Sequence, residues 1–181
     1  MLRRLLRHPE SRGGEGLELT ADAVRRSSGR LSLRYVLTGA LNAVVIPFAA
    51  APIRADELWR RTCFEAFMAR PDGGYLELNL APTGEWASYG FDGYRAGMAV
   101  ADKVPAPTVR STEEGGTYTF EADLDLSHAT GLPSKSSWLL AVSTVLQHTD
   151  GGVSYWALAH PPGKPDFHHP DSFVLDLPAP A

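Results

Sequence analysis

The sequence predicts an all-β fold, a single antiparallel β-sandwich of jelly-roll type, and three observations lead there. Runs of strand length recur along the chain, with Gly, Pro and Asp-Gly turn signals between them. Within several runs apolar and polar residues alternate with a period of two, most clearly in Tyr75-Leu76-Glu77-Leu78-Asn79-Leu80, which marks a sheet with one face in a core. Segments with the 3.6-residue period of an amphipathic helix are almost absent, and many short strands without helices indicate a sandwich.

Residues 1–16 read as a flexible or loosely packed N-terminal segment, with Arg3, Arg4 and Arg7 solvated, and residues 17–178 as the sandwich domain. Strand runs at 16–24 and 30–38 flank Arg26-Ser27-Ser28-Gly29 and form an opening hairpin. Runs at 61–69 and 74–81 flank Arg70-Pro71-Asp72-Gly73, where proline presets one turn torsion and Asp-Gly suits a tight reversal. The run at 86–91 follows Pro82-Thr83-Gly84, and that at 117–126 follows Glu113-Glu114-Gly115-Gly116. Runs at 137–148 and 153–160 flank Asp150-Gly151-Gly152, and 172–177 closes the sheet. Residues 21–26 and 55–61 each admit a helical turn.

At 181 residues the chain has room for one domain with its own core. With 44% hydrophobic and 21% charged residues it has the composition of a globular protein. A net charge of −4 argues against general nucleic-acid binding, which needs a concentrated basic surface. Cys63 is the one cysteine, so no intrachain disulfide forms. The first residues turn charged before any apolar run of a signal peptide develops. The longest apolar stretch, at 40–52, is short and broken by proline, well below the ~20 residues of a membrane span. The expected compartment is the cytoplasm, with no membrane partner.

Strand parity sorts the polar residues. In 62–68, Phe64, Ala66 and Met68 share one side and Cys63, Glu65 and Phe67 the other, and both sides carry apolar residues. With Phe64 toward the core, Cys63 and Glu65 share a face with Tyr75, Glu77 and Asn79 across the hairpin. In 153–160, Ser154, Trp156, Leu158 and His160 alternate with Val153, Tyr155, Ala157 and Ala159, so Trp156 and His160 are candidates for the same concavity. Such a face suits a sugar. The C–H face of a pyranose packs on an aromatic ring, while carboxylates and amides bond its hydroxyls. Trp59, Trp86, Trp138, Trp156, Tyr75, Tyr89 and Tyr94 supply rings, of which Trp138, beside Leu139 and Leu140, reads as core. The competing meaning of the same pattern is a plain solvated sheet face.

The segment at 160–171 is a Pro-rich loop with three histidines, His160, His168 and His169, and loops at the end of a sandwich commonly hold function. Adjacent extended histidines point their rings apart, and no recurrent carboxylate or thiolate spacing accompanies them. The expectation is therefore no metal, with His168 and His169 bonding the backbone of their own loop.

The blocks LWRRTCFEAF, GGYLELNLAPTGEWASYGFDGYRAGM and YWALAHPPGKPDFHHPDSF resemble bacterial DOMON-like proteins related to family-nine carbohydrate-binding modules, and the likeness extends over nearly the whole chain. The resemblance implies a β-sandwich whose relatives bind sugars or haem on one sheet. Sugar-binding relatives clamp the ligand between two tryptophans beside acids and amides, roles that Trp86, Trp156, Glu65, Glu77 and Asn79 would fill here. Haem-binding relatives use Met and His as axial ligands. Beyond the initiator only Met68 and Met98 remain, neither at a spacing that pairs it with a histidine. Sugar-binding modules of this type tend to be exported and attached to enzymes, and the departure from that pattern favours a small intracellular ligand.

The expected function is non-catalytic binding of a small saccharide or other polyhydroxylated molecule through Glu65, Glu77, Asn79, Trp86, Trp156, His160 and His168, without a cofactor. One alternative is a haem- or metal-binding protein of DOMON type. Another is an enzyme using Glu65 and Glu77, or His160 and His168, as acid and base, because carboxyl groups on facing strands can approach as in retaining glycosidases. A partner-binding role would show as an exposed apolar patch.

Overall fold

In the computed structural model, which describes residues 1–27 and 29–180, the chain is built of strands joined by turns. In order these are β1 (Arg3–Arg4), β2 (Leu6–Arg7), β3 (Leu17–Ser27), β4 (Arg30–Gly39), β5 (Cys63–Ala69), β6 (Tyr75–Leu80), β7 (Trp86–Phe91), β8 (Ala99–Val100), β9 (Thr108–Glu114), β10 (Thr117–Asp125), β11 (Trp138–Gln147), β12 (Val153–Ala157) and β13 (Leu175–Leu177). One sheet runs β1-β3-β4-β10-β9 and the other β2-β12-β11-β5-β6-β7-β8, with β13 also on β11. Every ladder between strands is antiparallel. Among the described residues three single 3-10 turns interrupt the loops, at Leu41–Ala43, Leu58–Arg60 and Pro170–Ser172. Among the described residues no helix is long and apolar enough to cross a membrane.

The alternation in β6 does what its pattern dictates. Leu76, Leu78 and Leu80 enter the core between the sheets, where a fully buried leucine contributes about 1.5–3 kcal/mol. Facing them stand Leu31, Leu33, Tyr35 and Leu37 of β4 and Phe120 of β10. Phe64 stacks on Phe120 with ring centroids 4.2 Å apart. Tyr35, buried in this layer, satisfies its hydroxyl by donating 2.7 Å to the carbonyl of Glu65, a bond that ties the sheets together directly beneath the site described below. The β5–β6 reversal falls where Pro71, Asp72 and Gly73 predict it: the Gly73 N–H reaches the Arg70 carbonyl at 3.1 Å, Gly73 has φ +89°, and the Asp72 carboxylate accepts from the Gly74 N–H.

Several expectations are corrected. The N-terminal segment is paired rather than loose: β1 lies on β3, β2 lies on β12, and Leu5 between them is fully buried. Two-residue strands carry too little alternation to be read from sequence. Residues 21–26 continue β3 instead of coiling, whereas 55–61 does contain the turn at Leu58–Arg60. The reversal at 26–29 includes Ser28, which lies outside the described residues. Strand β9, exposed along most of its length at a sheet edge, has no buried face to impose a pattern and was not anticipated.

The largest departure concerns the outer face of the second sheet. Nearly every residue of β5 and β6 is buried on both sides, because the segments around Leu58, Phe91, Phe167 and Phe173 fold over it and form a second apolar cluster with Cys63, Phe67, Tyr75 and Tyr89. The face that parity assigned to Glu65, Glu77 and Asn79 is therefore roofed, not open to water.

Candidate functional site

Under that roof lies a cavity of about 400 Å³. Its floor is the hairpin β5–β6, whose register sets Glu65 opposite Asn79 and Phe67 opposite Glu77, so the two acids are diagonal neighbours on one face. Its walls are Trp59, from the 3-10 turn before β5, Phe91 at the end of β7, Val145 and Tyr155 from the adjacent strands, and Phe167 from the loop after β12. Arg95 and Met98 form the rim, and His168 the far side.

The acids are buried, Glu65 to 2% and Glu77 to 4% exposure. Glu65 accepts from the Ser143 hydroxyl through Oε2 at 3.2 Å, while its buried Oε1 makes no geometric hydrogen bond and has only the weak donor of the neighbouring Cys63 thiol to favour its charge. Glu77 accepts from the Asn79 amide at 2.7 Å, and the Asn79 carbonyl oxygen receives the Cys63 thiol at 3.8 Å. Burial, reinforced by the neighbouring Glu77 charge, lifts the Glu65 carboxyl to about 8. Burial lifts Glu77 to about 7, against the opposing pull of the Asn79 bond and of Arg95. Both carboxyls therefore hold protons far above the usual range.

The rim is organised by Asp166. Its carboxylate accepts from the Arg95 guanidinium at 2.8 Å, from the Tyr94 hydroxyl and from the His168 N–H at 3.0 Å. Burial works against its charge, but the bonds from Tyr94 and Arg95 prevail and hold it below the ordinary aspartate value. Arg95 has φ +54°, a left-handed conformation that costs a non-glycine residue on the order of 1–3 kcal/mol. It is held by the Asp166 pair and by its own N–H, which donates to the Tyr75 hydroxyl at 3.3 Å. That hydroxyl also hydrogen-bonds His168 Nδ1 at 2.8 Å. Burial and the charge of Arg95 push the His168 value down to about 4, and the ring is neutral at physiological pH.

Of the residues chosen from sequence, Glu65, Glu77 and His168 meet in the cavity. Asn79 is fully buried behind it and fixes Glu77. His160 stands one layer back, donating from Nε2 to the Leu6 carbonyl at 2.8 Å and packing behind Phe167. Trp86 and Trp156 are corrected: both point into the core between the sheets. Register is the reason. Trp86 lies opposite Leu80, and Trp156 lies opposite Thr144, itself opposite Phe64, so both share the side of the core leucines. The Trp156 indole donates to Ser154 Oγ at 2.8 Å. The rings on the cavity side are Tyr155 and Phe91, of opposite parity to those indoles, together with Trp59 and Phe167 from outside the sheet. Pairing across the Pro82–Gly84 turn would have put Trp86 with Leu80 from sequence alone. Nothing local announces Arg95 or Phe167.

The expected self-bonding of the histidine loop is seen at His169, whose Nδ1 accepts from the Asp171 N–H at 3.2 Å. Among the described residues no group of three or more His, Cys, Asp or Glu is placed to hold a metal ion. Met68 is buried in the inter-sheet core, whereas Met98 and His168 line the same cavity. The donor set nonetheless fits a haem poorly, since a porphyrin over this floor would press an apolar face onto the unpartnered Glu65 Oε1.

No protein-family model and no curated protein matches this chain. Solved structures do. A protein from Bacteroides uniformis, provisionally assigned as carbohydrate-binding, superposes with a TM-score of 0.67 at 13% identity, over 98% of this chain and 85% of that one. A family-nine carbohydrate-binding module from Caldicellulosiruptor kristjanssonii in complex with cellotriose superposes with a TM-score of 0.54 at 8% identity, over 96% and 80% of the two chains. A family-nine module from the same organism in complex with glucose gives 0.54 at 8% identity, over 92% and 78%. The chain thus shares the β-sandwich fold of these structures.

Proposed function

We propose that this protein is a non-catalytic DOMON-like binding module that takes a small saccharide, or a molecule similarly rich in hydroxyls, in the cavity over β5 and β6. The observation that supports this most is the unpartnered Oε1 of buried Glu65 at the base of an aromatic-walled cavity. A buried acceptor without a partner costs about 1–3 kcal/mol, and a ligand hydroxyl would relieve that cost. The rings of Trp59, Phe91, Tyr155 and Phe167 offer faces and edges to the C–H surface of a sugar, and the Arg95 guanidinium stands at the rim. The likeness of fold to modules solved with cellotriose and glucose supports the same reading.

Affinity follows from the contacts. A stacking contact of about 0.5–1.5 kcal/mol and hydrogen bonds of roughly 0.5–1.5 kcal/mol each leave modest binding after the cost of association. Calorimetry against mono- and disaccharides tests the proposal, with Trp59→Ala and Trp86→Phe alongside. Binding weakened about 2- to 10-fold by Trp59→Ala, as one lost stacking contact implies, and unchanged by Trp86→Phe supports it. Binding indifferent to Trp59→Ala places the ligand elsewhere.

A further inference from the structure

We infer that the inner end of this cavity is built for an ammonium group, and that the saccharide it takes is an amino sugar. The inference rests on the saccharide reading above and narrows it.

The polar groups at the floor are unbalanced. Ser143 and Asn79 spend their donors on Glu65 Oε2 and Glu77 Oε1, which leaves Glu65 Oε1 unpartnered and Glu77 Oε2 with the His168 ring at 4.0 Å as its nearest ion-pair candidate. His168 does not serve it: its Nδ1 is taken up by the Tyr75 hydroxyl at 2.8 Å, and burial keeps the ring neutral. Arg95, the cation at the rim, is committed to Asp166. Among the described residues no arginine or lysine pairs with either acid. Two acceptors on diagonal neighbours, without a cation of their own, suit a group with several N–H donors and a positive charge. An ammonium has three such donors. The aromatic walls add a preference of the same sign, since ring faces attract cations.

The groups that face the carboxyl pair are Cys63 and Asn79 on the floor, Ser143 from β11, Tyr89 opposite Glu77 on β7, Tyr75 and His168 on the far side, and Arg95 with Asp166 at the rim. None neutralises the pair directly. Burial raises both carboxyls, Glu65 to about 8 and Glu77 to about 7, so at pH 7 the pair still shares bound protons in the absence of ligand, and an arriving ammonium, by favouring the ionised forms, releases protons to the buffer. A neutral polyol does not.

Calorimetry of the full chain at pH 7 compares glucose, glucosamine, N-acetylglucosamine and ethanolamine, each in two buffers of different ionisation enthalpy. The expected result is glucosamine at least about tenfold tighter than glucose and N-acetylglucosamine, with proton release, and loss of that preference in Glu65→Gln. Glucose binding as tightly as glucosamine overturns the ammonium inference and leaves the saccharide reading intact. Ethanolamine binding with no sugar bound keeps the ammonium site and overturns the saccharide reading. No binding by any of the four overturns both. The ranking on the unmodified protein decides the matter even where Glu65→Gln does not fold.

Discussion

Replacing Glu65 by Gln should stabilise the protein, little near pH 5 and increasingly as pH rises toward 8. The folded state raises the Glu65 value from 4.5 to about 8, so between those values the folded chain keeps a proton that the unfolded chain has lost. Stability contributed by that proton is present at pH 4.5 and below and declines as pH rises toward 8. At about 1.4 kcal/mol for each tenfold change in proton affinity, the loss above pH 8 is at most roughly 5 kcal/mol, and relaxation around the charge brings it to about 2–5 kcal/mol. Glutamine keeps the shape of the protonated acid, accepts the Ser143 bond and has no charge to bury. Thermal unfolding at pH 5 and pH 8.5 is the assay. A chain of this size moves by about 2–4 °C per kcal/mol, so the variant should melt at least about 5 °C above the parent at pH 8.5 and within a few degrees of it at pH 5. Glu77→Gln should act in the same direction and less, its value rising to about 7, and the pair should be less than additive because the acids interact. Parallel pH profiles for variant and parent, or a variant less stable at pH 8.5, would refute the reasoning about burial.

Two further outcomes follow. Leu78→Ala, at a site with no exposure between the sheets, should cost about 2–5 kcal/mol, read as a shift of the denaturation midpoint with unchanged slope. Protein produced with haem supplied should show no Soret absorbance at one haem per chain; such a band, lost in Met98→Leu or His168→Ala, would establish the haem alternative.

The hairpin that floors the cavity was legible in the sequence because two independent signals agree there: Pro71-Asp72-Gly73 sets the reversal, and the leucines of β6 set the side. Glu65, Glu77 and Asn79 consequently fall on one face as read. Their burial was not legible, since it comes from segments outside the hairpin, the turn at Leu58 just before it and the loop around Phe167 far along the chain. Phe67 and Cys63 on the same side as Glu65 were the local hint, a strand apolar on both faces. The indoles were misplaced for a different reason. Parity within a strand tells which residues share a side, but which side that is depends on register with the next strand, and a slip of one residue exchanges the faces. His168 was found through the composition of its loop. Arg95 was not, because a left-handed arginine gripping Asp166 follows from tertiary context alone.

The central claim, that ligand sits over the outer face of β5 and β6 and not between the sheets, is tested most directly by the indole N–H signals of a nitrogen-15-labelled sample during a saccharide titration. The chain has four tryptophans. Trp59 lines the cavity, while Trp86, Trp138 and Trp156 are buried in the inter-sheet core. With each signal assigned by Trp→Phe substitution, the Trp59 resonance should move in a saturable way and the other three should hold still. A saturable shift at Trp86 or Trp156 with Trp59 unmoved would contradict the account.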